Sequence, residues 1–250
     1  MGRGHRDKVA VITGAARGLG QAFAKRLAED GVHIAVADLE AGEETASLVR
    51  AAGREALAVR CDVSSPESVA GVAREVERAF GRCDILVNNA GIYPSRPFDE
   101  LTYAEWRRVL SVNLDSMFLM AKAFVPGMKA RGWGRVVNLA SNTFGTPVPG
   151  LVHYIASKGG VIGFTRALAS DLGPHGITVN AISPSLTQTP GTMVAGHTDP
   201  ARFAMVASLQ AIKRTEVPDD LVGTLSFLTS DDAAFVTGQT LYVDGGWVRV

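Results

Sequence analysis

Lys8-Val9-Ala10-Val11-Ile12-Thr13-Gly14-Ala15-Ala16-Arg17-Gly18-Leu19-Gly20 is the stretch whose reading decides the fold. Its first half is a short apolar run suited to a strand buried on both faces. Glycines follow at 14, 18 and 20, and a helical pattern of apolar residues runs on at once over 19–29. In such a strand-to-helix turn Gly14 permits the tight bend, Gly18 lets backbone approach a pyrophosphate, and Gly20 lets the helix pack on the sheet. The helix N-terminus favours the anion. Three glycines at fixed offsets are weak evidence alone, because 27 glycines are spread over 250 residues. Their position between a strand and a helix carries the weight.

The same alternation continues through the chain. Apolar runs at 33–38, 56–60, 84–88, 134–138, 178–182 and 240–243 read as six further strands, giving seven. Between them, 43–51, 66–80, 103–129, 154–172 and 218–228 carry apolar residues near helical spacing. Strands alternating with helices predict a doubly wound α/β domain, a parallel sheet covered on both faces. No linker, composition shift or repeat divides the chain, so residues 1–250 are expected to form a single domain. The exception is an irregular excursion at 184–215, with Pro184, Pro190, Gly191, Gly196 and Pro200 and one short helix expected at 203–209. Long excursions in compact domains are often lids.

Charge and cysteine use exclude several classes. Lys plus Arg and Asp plus Glu balance at 25 each, which leaves no basic footprint for nucleic acid or a membrane surface. The expected partner is a small molecule. Residues 1–8 lack an apolar stretch behind their charges, and no later run reads as long enough to span a bilayer, so a cytoplasmic protein is expected. Cys61 and Cys83 form no CxxC pair and read as packing residues, and His5, His33, His153, His175 and His197 show no ligand spacing. No metal is expected.

The ends of the predicted strands hold the chemistry. Asp38 stands eighteen residues beyond Gly20, near the distance at which an acidic side chain reaches an adenosine ribose. It would accept from a free 2′-hydroxyl and repel a 2′-phosphate, so NAD is the expected cofactor. Arg17 is the counter-indication, because a guanidinium in this turn can approach a 2′-phosphate. Asp62 and Val63 follow the third strand, where the carboxylate can meet an adenine amino group. Asn88-Asn89-Ala90-Gly91 follows the fourth, and its small residues let a dinucleotide lie against backbone. Leu19 between the glycines belongs to the same cofactor set.

Tyr154 and Lys158 are four apart at the start of a predicted helix and face one ligand. Ser141 follows the fifth strand and emerges at the same sheet edge. Asn113 lies mid-helix in Leu110-Ser111-Val112-Asn113-Leu114, where an amide among apolar residues needs a partner. A tyrosine acting as a base near pH 7–8 needs its anion stabilised by roughly 3–4 kcal/mol. A lysine ammonium about 4 Å away would supply about that amount.

On these elements, in this order, the chain resembles the short-chain dehydrogenase/reductase family over essentially its whole length: the turn at 13–20, Asp62, the run at 88–91, Asn113, Ser141, and Tyr154-x-x-x-Lys158. The resemblance implies a Rossmann-type fold in which Ser141 holds the substrate oxygen and Tyr154 exchanges its proton. It further implies that Lys158 binds the nicotinamide ribose, that Asn113 positions a water in a proton relay, and that Thr189, with Pro184, contacts the nicotinamide end. Ser185 departs from the glycine the family often has after Pro184. A homo-oligomer, most often a tetramer, is also implied. The helix 154–172 has apolar residues around most of its circumference, which independently asks for cover on both sides.

A substrate pocket is expected from Tyr93, Thr143, Phe144, Val148, Leu151, Ser185, Leu186 and Met193. No lysine or arginine lies among them, which disfavours a carboxylate or phosphate and points to a secondary alcohol, or its ketone, bearing an aromatic or other flat apolar group; an aryl carbinol such as 1-phenylethanol is what a further resemblance implies. Runs at 80–87, 91–94, 118–129 and 153–155 resemble bacterial phenylethanol dehydrogenases, whereas 140–144 and 159–164 resemble pyridoxal 4-dehydrogenases. For pyridoxal, Asn142, Thr143 or His153 would supply polar partners. A 3-oxoacyl-carrier-protein reductase is the third reading, opposed by Asp38 and the neutral charge balance.

Overall fold

The computed structural model describes residues 3–194 and 199–249. Seven strands form one parallel sheet: β1 (Val9–Thr13), β2 (His33–Asp38), β3 (Ala56–Arg60), β4 (Ile85–Asn88), β5 (Gly134–Leu139), β6 (Ile177–Pro184) and β7 (Thr240–Val243). Their order is β3-β2-β1-β4-β5-β6-β7. The order reverses between β1 and β4, and at such a switch point the connections leave in opposite directions and open a crevice at the carboxyl ends. Every strand and long helix expected from sequence is present, with ends within two residues.

One face of the sheet is covered by α1 (Gly18–Glu29), α2 (Glu43–Ala51) and α9 (Asp219–Thr229), which bury Phe23, Leu27, Val49, Leu221 and Leu225. The other is covered by α3 (Pro66–Phe80), α5 (Ser116–Arg131) and α6 (Val152–Leu172), burying Val72, Val76, Met120, Phe124 and Leu172. Both faces are thus dry, which is why the central strands read as unbroken apolar runs rather than alternating ones.

The helix expected at 103–129 is interrupted. It consists of α4 (Tyr103–Leu110), a π-helical turn at Ser111–Asp115, and α5. As a continuous rod Tyr103–Arg131 is, by length and composition, long and apolar enough to cross a membrane, contrary to the expectation that no run was. Met117, Met120, Phe124 and Met128 of this rod are buried against the sheet, the packing of a core helix.

The excursion holds two short helices where one was expected, α7 (Pro190–Val194) and α8 (Pro200–Leu209). Asp199 caps α8 by accepting from the Ala201 amide at 2.9 Å, with Pro200 in the first turn. A bridge between Thr187 and Glu216 ties the start of the excursion to its return.

Candidate active site

The carboxyl ends of β1 to β4 open onto a cleft of about 640 Å³. Gly14, Arg17, Gly18, Leu19 and Asp38 line its first half, and Asp62, Val63, Asn89, Ala90 and Gly91 its second, all expected from sequence. Gly14 and Gly18 have φ of +63° and +62°, and a Cβ on Gly14 would lie 2.8 Å from the Ala90 Cα. The turn therefore requires glycine and keeps a backbone-lined cradle open. Gly20 does not line the cleft. A Cβ there would meet the Gly14 carbonyl at 2.3 Å, so this glycine seats α1 on β1.

Two cross-braces hold the cradle, and sequence reading missed both. The Thr13 hydroxyl accepts from the Asn89 and Ala90 amides at 3.0 and 3.1 Å. The Asn89 side chain donates to the Thr13 and Gly14 carbonyls at 2.9 and 2.8 Å. Asp38 is fixed by the Ala16 amide at 2.8 Å and the Glu40 amide at 3.0 Å. Arg17 pairs with Glu40 at 3.0 Å, so a second carboxylate stands at the adenosine end of the cleft. Asp62 accepts from the Ser64 amide and hydroxyl at 3.0 and 2.6 Å. An open, glycine-walled crevice with carboxylates where a ribose would lie fits a dinucleotide.

Beyond Gly91 lie the residues expected to be catalytic. The Asn113 side chain is wholly buried in the π-helical turn, where it accepts from the Ile92 amide at 2.8 Å and donates to the Ile92 carbonyl at 2.9 Å and the Ser157 hydroxyl at 3.1 Å. The partner this amide needed is therefore the backbone just past Gly91, and the extra residue of the π turn aims it there. A buried ladder, Asn88 to Asn138 at 2.8 Å and Asn138 to Thr165 at 2.9 Å, fixes β4, β5 and α6 relative to one another.

Ser141 is buried two residues beyond β5 and hydrogen-bonds the Tyr154 phenol. Its oxygen also accepts from the Thr143 hydroxyl at 2.9 Å. Tyr93 meets Tyr154 edge to face at 5.9 Å. Lys158, one helical turn on, donates to the Leu139 carbonyl at 2.6 Å, and its Nζ is 5.6 Å from the Tyr154 ring centre. Burial pushes the Tyr154 phenol up, and the Ser141 hydrogen bond opposes it. Burial pulls Lys158 down to about 8. Lys158 was expected to stabilise the Tyr154 anion together with the positive ring of the oxidised cofactor; in the protein without cofactor its ammonium is turned to the Leu139 carbonyl, and desolvation is the larger effect on the phenol.

A second cavity, of about 220 Å³, lies beside Ser141 and Tyr154. Tyr93, Thr143, Val148, Leu151, Ser185 and Leu186 line it as expected, as do Pro184 and Thr189. Phe144 does not. It is 54% exposed, and its ring covers Gly159 of α6, because the 3-10 turn Asn142–Gly145 sends neighbouring side chains to different sides. The side chain of Met193 lies outside what the structure describes. His153 is also absent from the wall; it is buried with no hydrogen bond to either ring nitrogen.

Sequence reading missed Arg202, Val206 and Trp247 in this wall. The expectation of a wall without arginine is thereby overturned. The helix expected at 203–209 begins at Pro200, and Arg202 and Val206 stand one turn apart on its cavity side. Asp199-Pro200 was the available signal for the earlier start. Ser185 is held by its amide to Glu216 at 2.6 Å and by its hydroxyl to Gln210 at 2.9 Å, which defines the turn where the family often has glycine. Burial raises Glu216 to about 8.

A doubly wound sheet whose dinucleotide cleft runs into a Ser-Tyr-Lys group defines a nicotinamide-dependent oxidoreductase. A family model described as enoyl-(acyl carrier protein) reductase matches residues 14–248. The cis-4-hydroxycyclohexanecarboxylate dehydrogenase of Sinomonas cyclohexanicum is 40% identical over 252 residues, 100% of both chains. The 3-oxoacyl-[acyl-carrier-protein] reductase of Vibrio cholerae is 37% identical over 244 residues, 97% of this chain and 98% of that one. Among solved structures, one from Beutenbergia cavernae, described as an NAD(P)-dependent gluconate 5-dehydrogenase with NADP bound at low occupancy, is 39% identical. It aligns over 97% of each chain with a TM-score of 0.91. The chain belongs to the short-chain dehydrogenase/reductase family. It is an oxidoreductase of alcohol- and ketone-type substrates that uses a nicotinamide cofactor.

Proposed function

We propose that the protein interconverts a secondary alcohol and its ketone with NAD, the substrate having a flat apolar body such as an aryl carbinol. The observation that carries this is the wall of Tyr93, Val148, Leu151, Leu186, Val206 and Trp247 beside Ser141 and Tyr154. Bound NAD supplies the hydride acceptor, and NADH the donor. Ser141 orients the substrate oxygen, and Tyr154 takes the hydroxyl proton on oxidation and returns it on reduction. Lys158 is positioned for the nicotinamide ribose, and Asn113 keeps the backbone at Ile92 in place beneath it.

NAD rather than NADP is supported by Asp38, whose carboxylate would face a 2′-phosphate, and by the pairing of Arg17 with Glu40, which engages the guanidinium that could otherwise meet that phosphate. The Sinomonas relative is named for a secondary alcohol on a cyclohexane ring that also bears a carboxylate, which supports the ring-borne secondary alcohol. Of the polar partners pyridoxal would need, Asn142 and Thr143 line the cavity but donate to Asp244 at 3.3 Å and to Ser141 at 2.9 Å, and His153 is not in the wall, which disfavours that substrate. The carrier-linked reductase reading keeps support from the Vibrio cholerae relative.

The test compares 1-phenylethanol, cis-4-hydroxycyclohexanecarboxylate, pyridoxal, 2-butanol and lactate in oxidation, and an acetoacetyl thioester in reduction, each with both cofactors. A ring-bearing secondary alcohol should have the highest kcat/KM, and NAD should exceed NADP by at least about tenfold. Highest efficiency for 2-butanol, lactate or the thioester sinks the substrate reading, and equal cofactor efficiencies sink the NAD assignment.

The same reading includes a homo-oligomer. Val161, Ile162 and Leu172 of α6 are buried within one chain, while Val152, Ala156, Gly163, Arg166 and Ala167 are exposed, as is Phe118 of α5. Covering such a face with its symmetry mate is the common solution. Light scattering at micromolar concentration should give a mass near four chains, and monomer alone refutes the proposal.

A further inference from the structure

The excursion at 184–215 leaves and returns at one place, where a buried acid joins its two ends. Glu216, the first residue after it, is 5% exposed. Its carboxyl accepts from the Ser185 amide at 2.6 Å, and its main-chain carbonyl accepts from the Gln188 amide at 2.9 Å, beside the bridge to Thr187. Gln210 makes a second tie. Its side-chain oxygen accepts from the Ser185 hydroxyl at 2.9 Å, while its nitrogen donates to the Ile212 and Arg214 carbonyls at 3.0 and 2.8 Å. Desolvation by burial, with Asp220 and Asp244 nearby, raises Glu216 to about 8, so near neutral pH it grips Ser185 as an uncharged acid. Arg214, also nearby, is held by both oxygens of Asp220 at 2.5 and 2.6 Å.

The segment so held is a shared wall. Pro184, Ser185, Leu186, Thr187 and Thr189 line the substrate cavity, and Thr189 lines the dinucleotide cleft as well, as do Leu19, Asn89 and Gly91. Hydride passes directly between nicotinamide and substrate, so the ring has to lie at this junction. We propose that Glu216 is a positioning residue for the nicotinamide end of the cofactor: through Ser185 and Gln188 it fixes the wall at 184–189 against which the ring lies. Glu216 itself lines neither of these two cavities, so it acts only through that wall. Without its carboxyl the Ser185 amide would lose its acceptor, and the turn would have to shift to pair it again. The inference uses the oxidoreductase class of the protein and holds for any alcohol substrate.

The test is calorimetric titration of NADH and of ADP-ribose, which keeps the adenosine and pyrophosphate and lacks the nicotinamide, with NADPH and 2′-phospho-ADP-ribose as a parallel pair. The parent should bind the complete dinucleotide at least about tenfold tighter than its truncated form. Glu216→Leu should lower that ratio at least about fivefold while the truncated ligand binds within about twofold of the parent. Glu216→Gln keeps an uncharged acceptor of the same length and should hold the ratio to within about twofold of the parent's. Glu216→Asp, one methylene short of the Ser185 amide, should fall between, and it replaces the leucine variant if a thermal melt finds that one unfolded. A parent ratio near one, an undiminished ratio in the leucine or aspartate variant, or a glutamine variant no better than leucine overturns the proposal. So does an equal loss for both ligands, which is what a loosened cleft would give. Tighter binding of NADPH than of NADH sinks the NAD assignment alone, since the second pair reads the same ratio.

Discussion

Tyr154→Phe should bind NADH as the parent does and lose about a thousandfold in turnover. Phenylalanine fills the same space against Tyr93 and keeps the ring contact. What it removes is the phenol hydroxyl whose ionisation Ser141 favours. In the protein without dinucleotide, burial holds this phenol protonated, so the positive ring of the oxidised cofactor has to contribute to its ionisation. The pH dependence follows with a definite sign. Alcohol oxidation needs the phenolate and should climb as pH rises, whereas ketone reduction needs the phenol and should fall. In the phenylalanine variant the residual rate should lose that dependence. Turnover within tenfold of the parent, measured by NADH absorbance under saturating substrate, rejects Tyr154 as the acid/base.

Lys158→Met should cost at least about a hundredfold in turnover and at the same time stabilise the protein free of cofactor. Lys158 is 3% exposed, and burial pulls it from its usual 10.5 to about 8. Below pH 8 the folded chain therefore carries a charged ammonium out of water, a cost on the order of 3 kcal/mol. Methionine removes that charge and fills the space, while losing the hydrogen bond to Leu139 returns about 1 kcal/mol. A net gain of about 2 kcal/mol should raise Tm by about 4 °C or more at pH 7. Between about pH 8 and 10.5 the unfolded chain holds a proton that the folded one has released, so the parent gains stability as pH rises. The advantage of the variant should shrink across that window. A melting temperature at pH 7 no higher than the parent's contradicts the burial cost, whatever the effect on turnover.

The substrate wall and the Ser141, Tyr154 and Lys158 group differ in how far the sequence makes them legible. Strand and helix identity was readable because both sheet faces are dry, which makes buried parallel strands unbroken apolar runs, and because the helices between them keep a 3.6-residue period. The glycine turn, Asp38, the run at 88–91, Ser141 and the Tyr154/Lys158 pair were readable because each sits at a strand end or on one helix face, where local spacing determines direction. Side-chain direction in irregular segments was not. Phe144 and Thr143 are adjacent in sequence, yet only Thr143 faces the cavity, since a 3-10 turn rather than a strand carries them.

Contacts between distant segments set the rest. Asn113 reaches Ile92 through a π-helical turn that no periodicity announces, because the added residue repays its cost only once that backbone is beside it. The pairing of Arg17 with Glu40 and the tilt of Lys158 toward Leu139 follow from how β1, β2 and β5 align. Arg202 enters the substrate cavity only because the excursion folds back over Ser141 and Tyr154. The sequence by itself thus determined the doubly wound fold, the cleft at the strand ends and the meeting of Ser141, Tyr154 and Lys158 at one site, all of which depend on local period and strand-end position. Only the tertiary structure decided the charge of the substrate wall and the balance of burial against hydrogen bonding at Tyr154 and Lys158, because desolvation and net charge belong to a surface assembled from segments far apart in the chain.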